Sequence, residues 1–252
     1  MNQPTNEIER LDSLFSVYAE PVLQSCRGEL ECRKWANLTI ALIPTCALHH
    51  IMGCLTASRS ARRACSPAIA IGILRQSVEA LSLVDMGLQE ATFSESLLQE
   101  WAAGKRTNGA IRQVLEKHVW GRYGNGLWTE SWTEFYASLA RAVQPYAHYS
   151  FGLVQWQMAV PELSRNDGDR FSGVAAVHPY VSDPTKLARI ALFELLMVWV
   201  IGRLVIANKS NCVSHDSTAA IAALGDHLRS SPLLFQLAGW ETQFLPHVMF
   251  AP

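Results

Sequence analysis

An arginine and a histidine seven positions apart, Arg141 and His148 in LARAVQPYAHYS, have the types and spacing that point most directly to chemistry. A guanidinium grips a phosphate or carboxylate through its planar fork, and an imidazole titrates near neutrality and can move a proton. On a straight helix seven residues rise about 10.5 Å, two turns, which brackets one small anion or phosphodiester. Pro145 lies between the two and removes an interior backbone donor, so a bend or helix end there sets their separation. The same residues also read as a solvated arginine and a histidine favoured by a helix C-terminus.

Projected at about 100° per residue, Trp132, Phe135, Tyr136, Leu139, Val143 and Tyr146 gather on a core-facing side. Arg141 and His148 fall opposite them, in a column with Glu134, Ser138 and Gln144. Over Pro67–Gln89 an apolar arc of Ile71, Leu74, Val78, Leu81 and Leu88 encloses Asp85, a carboxylate that must find a partner or raise its pKa. Arg75 and Glu79 flank that arc at the i,i+4 spacing of a surface ion pair. A third constellation, Cys46-x3-His50-x3-Cys54, keeps two thiols and an imidazole on adjacent helical turns. Such donors suit zinc or another soft-accepting metal if another segment completes the set, and they also read as packing residues. The chain has no Gly-x-Ser-x-Gly elbow, His-Glu-x2-His pair or dinucleotide-binding glycine pattern. The common hydrolase, zinc-protease and Rossmann readings thus lack a motif, and no cofactor is expected.

The chain that must position these residues has 252 of them, 49% apolar and 17% charged, enough to bury a core without covalent staples. A formal net charge of −1 supplies no protein-wide field toward nucleic acid or an acidic membrane, so any such contact is local. The densest basic run, SRSARR at Ser58–Arg63, reads as a solvated loop between two helices. The cysteines form no CxxC pair, and MNQPTNEIER lacks the apolar run of an export signal. A reducing, cytoplasmic compartment with free thiols is therefore expected. Ile190–Ala207 is long enough to span a bilayer, but Glu194 and Arg203 interrupt it on opposite faces, and Trp35–Leu55 carries Pro44 and the pair His49–His50. Both read as buried core helices, and no membrane partner is expected.

The helical period runs over Glu7–Ser25, over Leu30–Ala57 with a bend at Pro44, and from the start signal Ser66–Pro67 to Gln89. Shorter helices are expected at Ser94–Gly104, Gly109–Val119 and Trp132–Tyr146, with GRYGNGLW at Gly121–Trp128 as a loop. Val154, Trp156, Met158 and Val160 then alternate with other residues, Asn166-Asp167-Gly168 is turn chemistry, and Phe171–Val177 can return. This predicts a β-hairpin insertion over residues 153–180, ended by His178-Pro179-Tyr180. Asp183–Pro184 starts an apolar helix reaching Lys209, and Asp216 or Ser217 starts another reaching Leu228. The expected architecture is all-α, a single helical domain over 1–252 with that small inserted hairpin.

Arg141-x6-His148 near a helix end resembles the arginine–histidine signature of HEPN proteins (higher eukaryotes and prokaryotes nucleotide-binding), many of them ribonucleases of toxin–antitoxin and phage-defence systems. The wider pattern is similar to uncharacterised bacterial helical proteins with Arg75-x3-Glu79 followed by Tyr136-x2-Leu139…His148. The likeness covers about Pro67–His148, and it departs from the family where Ala142 follows Arg141 in place of a polar residue. It implies metal-independent RNA cleavage, with His148 moving the proton of the attacking 2′-hydroxyl or of the leaving oxygen. Arg141 would hold the scissile phosphate, with Asp85, Arg75, Glu79 and Gln144 in support. It further implies a homodimer with a composite site, RNA as a partner, and an antitoxin or other protein partner. Two other readings stay open: a non-catalytic interaction protein whose partner docks on the same polar face, and a helix-bundle metalloprotein using Cys46, His50 and Cys54.

Overall fold

The apolar periods of the sequence become helices in the computed structural model, which describes residues 3–146, 151–159, 176–177, 183–208, 216–231 and 233. In chain order they are α1 (Gln3–Glu31), α2 (Leu38–Arg63), α3 (Pro67–Leu88), α4 (Ala91–Ala102), α5 (Asn108–His118), α6 (Trp132–Val143), α7 (Phe151–Gln157), α8 (Pro184–Ala207) and α9 (Asp216–Arg229). Single 3-10 turns lie at Trp120–Arg122 and Gln144–Tyr146. The fold class is all-α. Helices α2 and α3 form a hairpin packed along its length, α1 lies along α8, and α3 meets α5, α6 and α8 from the middle. From Ile190 to Gly202 every residue of α8 is buried, the behaviour of a helix that is apolar all round and serves as the core.

Local chemistry sets the helix ends. Asn37 accepts from Thr39 N at 3.0 Å and starts α2, and Asp183 accepts from Thr185 N at 2.9 Å ahead of Pro184. Ser131 and Glu134 form a reciprocal capping box on α6. Pro44 lies inside α2, where its ring is buried against α3. A Cβ at Gly87 would stand 2.2 Å from Pro44 Cβ, so the proline is accommodated by the missing side chain opposite it.

Three expectations on elements are corrected. Helix α1 runs straight through Arg27–Gly28, and α2 begins at Leu38 rather than Leu30. The predicted loop Ser58–Arg63 is the last part of α2, with Ser58 and Arg62 buried because both bind Glu194 of α8, at 2.7 Å and 3.1 Å. The predicted β-hairpin insertion is not seen: Leu153–Gln157 is helical, placing Leu153 and Trp156 one turn apart against the core. What pairing exists is two residues long, Met158–Ala159 against Ala176–Val177, while 160–175 and 178–182 lie outside the described residues.

The expectations of a cytoplasmic chain and of no membrane partner are also overturned. Leu38–Arg63, Pro67–Leu88 and Pro184–Ala207 are each long and apolar enough to cross a membrane. Glu194 and Arg203 had counted against the last of these, but both find partners inside the protein. Glu194 binds Ser58 and Arg62, and Arg203 donates to Tyr123 O at 2.9 Å and Asn125 O at 3.1 Å while lying over the Trp132 and Trp199 rings. The bundle accounts unequally for the three apolar stretches, burying 83% of the window in α8 but only 39% of that in α2, where Leu38 and Leu42 stand exposed.

One carboxylate joins α1 to α2. Asp12 meets Arg59 Nη2 at 3.0 Å, Arg62 Nη2 at 2.7 Å and Arg63 Nη2 at 3.5 Å. Burial pushes its carboxyl up, but the hydrogen bonds and charges of Arg62 and Arg59 outweigh that and hold it below its usual 3.8. A pKa lowered by folding means stability that is fully present above the unfolded value and lost as pH falls through the folded one. Asp12→Asn is expected to cost about 2 kcal/mol at neutral pH. In urea titrations at stepped pH the gap to wild type should narrow below about pH 4; a gap independent of pH would mean that the carboxylate charge contributes nothing.

Candidate functional site

Three of the residues singled out by the sequence converge on one cleft. Arg75 and Glu79 of α3, the Thr107–Arg112 start of α5, and Tyr136 and Gln144 from α6 and its continuation line a hollow of about 370 Å³. The i,i+4 spacing is realised as an ion pair, Arg75 Nη2 to Glu79 Oε1 at 2.7 Å. Arg112 also lines the cleft and has no hydrogen bond or ion pair among the described residues. Thr107 caps α5 by accepting from Ala110 N at 3.2 Å, and the first turn of that helix adds partial positive charge beside the two guanidinium groups.

Tyr136 forms the floor. It is buried, donates to Val78 O at 3.3 Å and stacks against Trp120 at a 4.5 Å centroid distance. Burial first, and the charge of Asp85 second, push its phenol up, against a smaller opposing effect of Arg112, so it stays a neutral donor at physiological pH. With one paired and one free guanidinium, the cleft can take an oxyanion, and one buried hydroxyl fixes its base.

Arg141 stands apart from this hollow. It is exposed and folds back on its own helix, Nε to Ala137 O and Nη2 to Ser138 Oγ, both at 3.4 Å. Helix α6 ends at Val143 and tightens into the 3-10 turn Gln144–Tyr146, so the straight-helix spacing does not carry through Pro145. His148 lies outside the described residues. Ser138, expected in the exposed column with Arg141, is instead fully buried.

Asp85 belongs to a different site. It has no exposed surface, and accepts from Tyr123 Oη at 2.5 Å, Trp120 Nε1 at 2.8 Å and Gln89 Nε2 at 3.0 Å. Asn208 at the end of α8 donates to Tyr123 Oη at 2.7 Å, so loop, α3 and α8 share one polar knot. Burial, then the Asp85 charge and hydrogen bond, push the Tyr123 phenol up.

The metal constellation does not assemble. Cys46 and His50 are exposed on α2, Cys54 is buried with Sγ 3.5 Å from His50 Nε2, and among the described residues no group of three or more His, Cys, Asp or Glu can hold a metal. Sequence reasoning missed Arg112, Arg122 and Asn208. None sits in a motif, and the only clue to Arg112 was its place near the start of a helix that Thr107 caps.

Compared with protein-family models, with curated proteins and with solved structures, the chain matches none. Fold and site together define an all-α bundle with an arginine-lined cleft on its surface.

Proposed function

We propose that this is a HEPN-like RNA-binding protein of the toxin or defence type, seating a backbone phosphate between Arg75 and Arg112. The convergence of Arg75, Glu79 and Gln144 with Arg112, which has no partner among the described residues, on one cleft carries the reading. A phosphate there gains charge-assisted hydrogen bonds from Arg112 without first breaking an ion pair. Strand cleavage is the second part of the proposal. Arg141, next to the cleft-lining Ala140, would exchange its long contacts to Ala137 O and Ser138 Oγ for the scissile phosphate. His148 would take the proton of the 2′-hydroxyl as that oxygen attacks phosphorus and the 5′-oxygen leaves with a proton from solvent.

Fluorescence anisotropy with a labelled single-stranded RNA in EDTA tests binding. Arg112→Ala is expected to weaken it about tenfold or more at fixed salt, the worth of one charge-assisted contact. A wild-type protein that does not bind RNA, or an Arg112→Ala protein that binds it equally well, defeats the proposal. On a gel the RNA should be cut by wild type and left intact by Arg141→Ala and His148→Ala; cutting that survives both substitutions removes these two residues from the chemistry.

A further inference from the structure

A second hollow, of about 610 Å³, opens at the end of the bundle where α3, α5 and α8 finish. Its lining includes Arg33, Gln89, Glu90, Phe93, Arg122 and Asn208, none of which belongs to the α3–α5–α6 cleft. Asn208 holds both guanidinium groups in place. Arg33 Nη2 donates to Asn208 O at 2.6 Å, and Arg122 Nη2 donates to Asn208 Oδ1 at 2.9 Å and to Gln89 Oε1. Asn208 and Gln89 are themselves buried and fixed from behind by Tyr123 Oη, at 2.7 Å and 2.9 Å.

These contacts use a minority of the available donors, because each guanidinium carries five N–H groups. Among the described residues, Nε and Nη1 of Arg122 make no hydrogen bond, and Arg122 has no ion-pair partner. Nε of Arg33 is buried without a hydrogen-bond partner. Two carboxylates stand 3.8 Å from this guanidinium: the buried Glu29, one turn back on α1, at Nη2, and Glu90, 84% exposed, at Nη1. Phe93 and His118, which share the lining, meet edge to face at 6.5 Å and add an aromatic surface to the hollow.

We propose that this hollow is a binding site for a small oxyanion, a carboxylate or a phosphate, gripped by Arg122 and Arg33 with its body against Phe93 and His118. A guanidinium pinned at one nitrogen by a buried amide is pre-oriented, so little side-chain entropy is lost when an anion takes the remaining donors. Glu90 is the built-in competitor. Its carboxylate occupies the position an anion would take beside Arg33, and its exposure lets it swing away.

Isothermal titration of the full chain carrying Arg112→Ala, which disables the first cleft, tests this with sodium phosphate and sodium benzoate as separate probes at fixed ionic strength. Saturable binding of either probe is expected. Phosphate alone would assign the site to phosphates, benzoate alone to aromatic carboxylates, and both to the shared oxyanion chemistry. Adding Arg122→Gln should weaken binding tenfold or more, and Glu90→Gln should strengthen it severalfold. No saturable heat from either probe overturns the proposal, as does affinity unchanged by Arg122→Gln. Should Arg122→Gln fail to fold, the Glu90→Gln protein decides alone, since that side chain is exposed: affinity equal to or weaker than that of its Arg112→Ala parent overturns the site.

Discussion

Asp85→Ala is expected to lower unfolding free energy by about 3 kcal/mol, because it strands two buried donors at once. Tyr123 Oη, Trp120 Nε1 and Gln89 Nε2 all point at this carboxylate; the first two would be left without an acceptor in a dry interior, while Gln89 Nε2 keeps the Asp85 backbone oxygen at 2.8 Å and Tyr123 Oη at 2.9 Å. Removing one donor instead is far milder, so Tyr123→Phe should cost about 1 kcal/mol. For a chain of this size the alanine substitution should lower Tm by roughly 6–12 °C. Paired urea and thermal melts check this, and an Asp85→Ala protein within about 0.5 kcal/mol of wild type would mean that the carboxylate offsets no more than its own desolvation.

The second large effect concerns the link between α2 and α8. Arg62 and Glu194 are both buried, 2% and 1% exposed at their side chains, and meet at 3.1 Å. Arg62→Ala leaves Glu194 in the core with Ser58 as its hydrogen-bond partner among the described residues, so the carboxyl must take up a proton or stay uncompensated, which is expected to cost about 3–5 kcal/mol. Replacing the pair together, Arg62→Leu with Glu194→Leu, should cost less than Arg62→Ala alone, since no buried carboxylate is left uncompensated. A double-mutant cycle from urea melts measures the coupling, and strictly additive losses would show that the two side chains do not stabilise each other.

These networks explain which parts of the fold were legible in the sequence. Periodicity marked the core face of α6, and Trp132, Phe135, Tyr136, Leu139, Val143 and Tyr146 are all buried. Local signals marked the helix starts, so Pro67 and Pro184 open α3 and α8 as expected. Asp85 was legible as a buried carboxylate because it interrupts an apolar arc, but its partners were not, since Trp120 and Tyr123 fall in and beside a glycine-rich stretch with no period of its own. The run SRSARR reads as solvent-exposed because nothing near it in sequence is acidic. Its acids lie far off along the chain, Asp12 about fifty residues before it and Glu194 more than a hundred after it.

The site was legible to the same degree. Arg75 and Glu79 could be paired from their spacing, and they line the cleft with Gln144. Arg112 could not be found, because what marks it, an open guanidinium with no hydrogen bond or ion pair among the described residues, is a property of the folded surface. The alternation of Val154 and Trp156 imitated a strand over a segment too short to separate a period of two from a helical turn.

Helix α1 packs chiefly along α8, and about 150 residues of chain separate the two. During synthesis at roughly 5–20 residues per second, α8 emerges about 10–30 seconds after α1 has left the ribosome. Through that interval the buried stripe of Leu11, Val22, Leu23, Cys26 and Leu30 lacks its chief partner helix. Truncations that stop short of residue 184 should therefore bind holding chaperones through the first helix more than the full chain does.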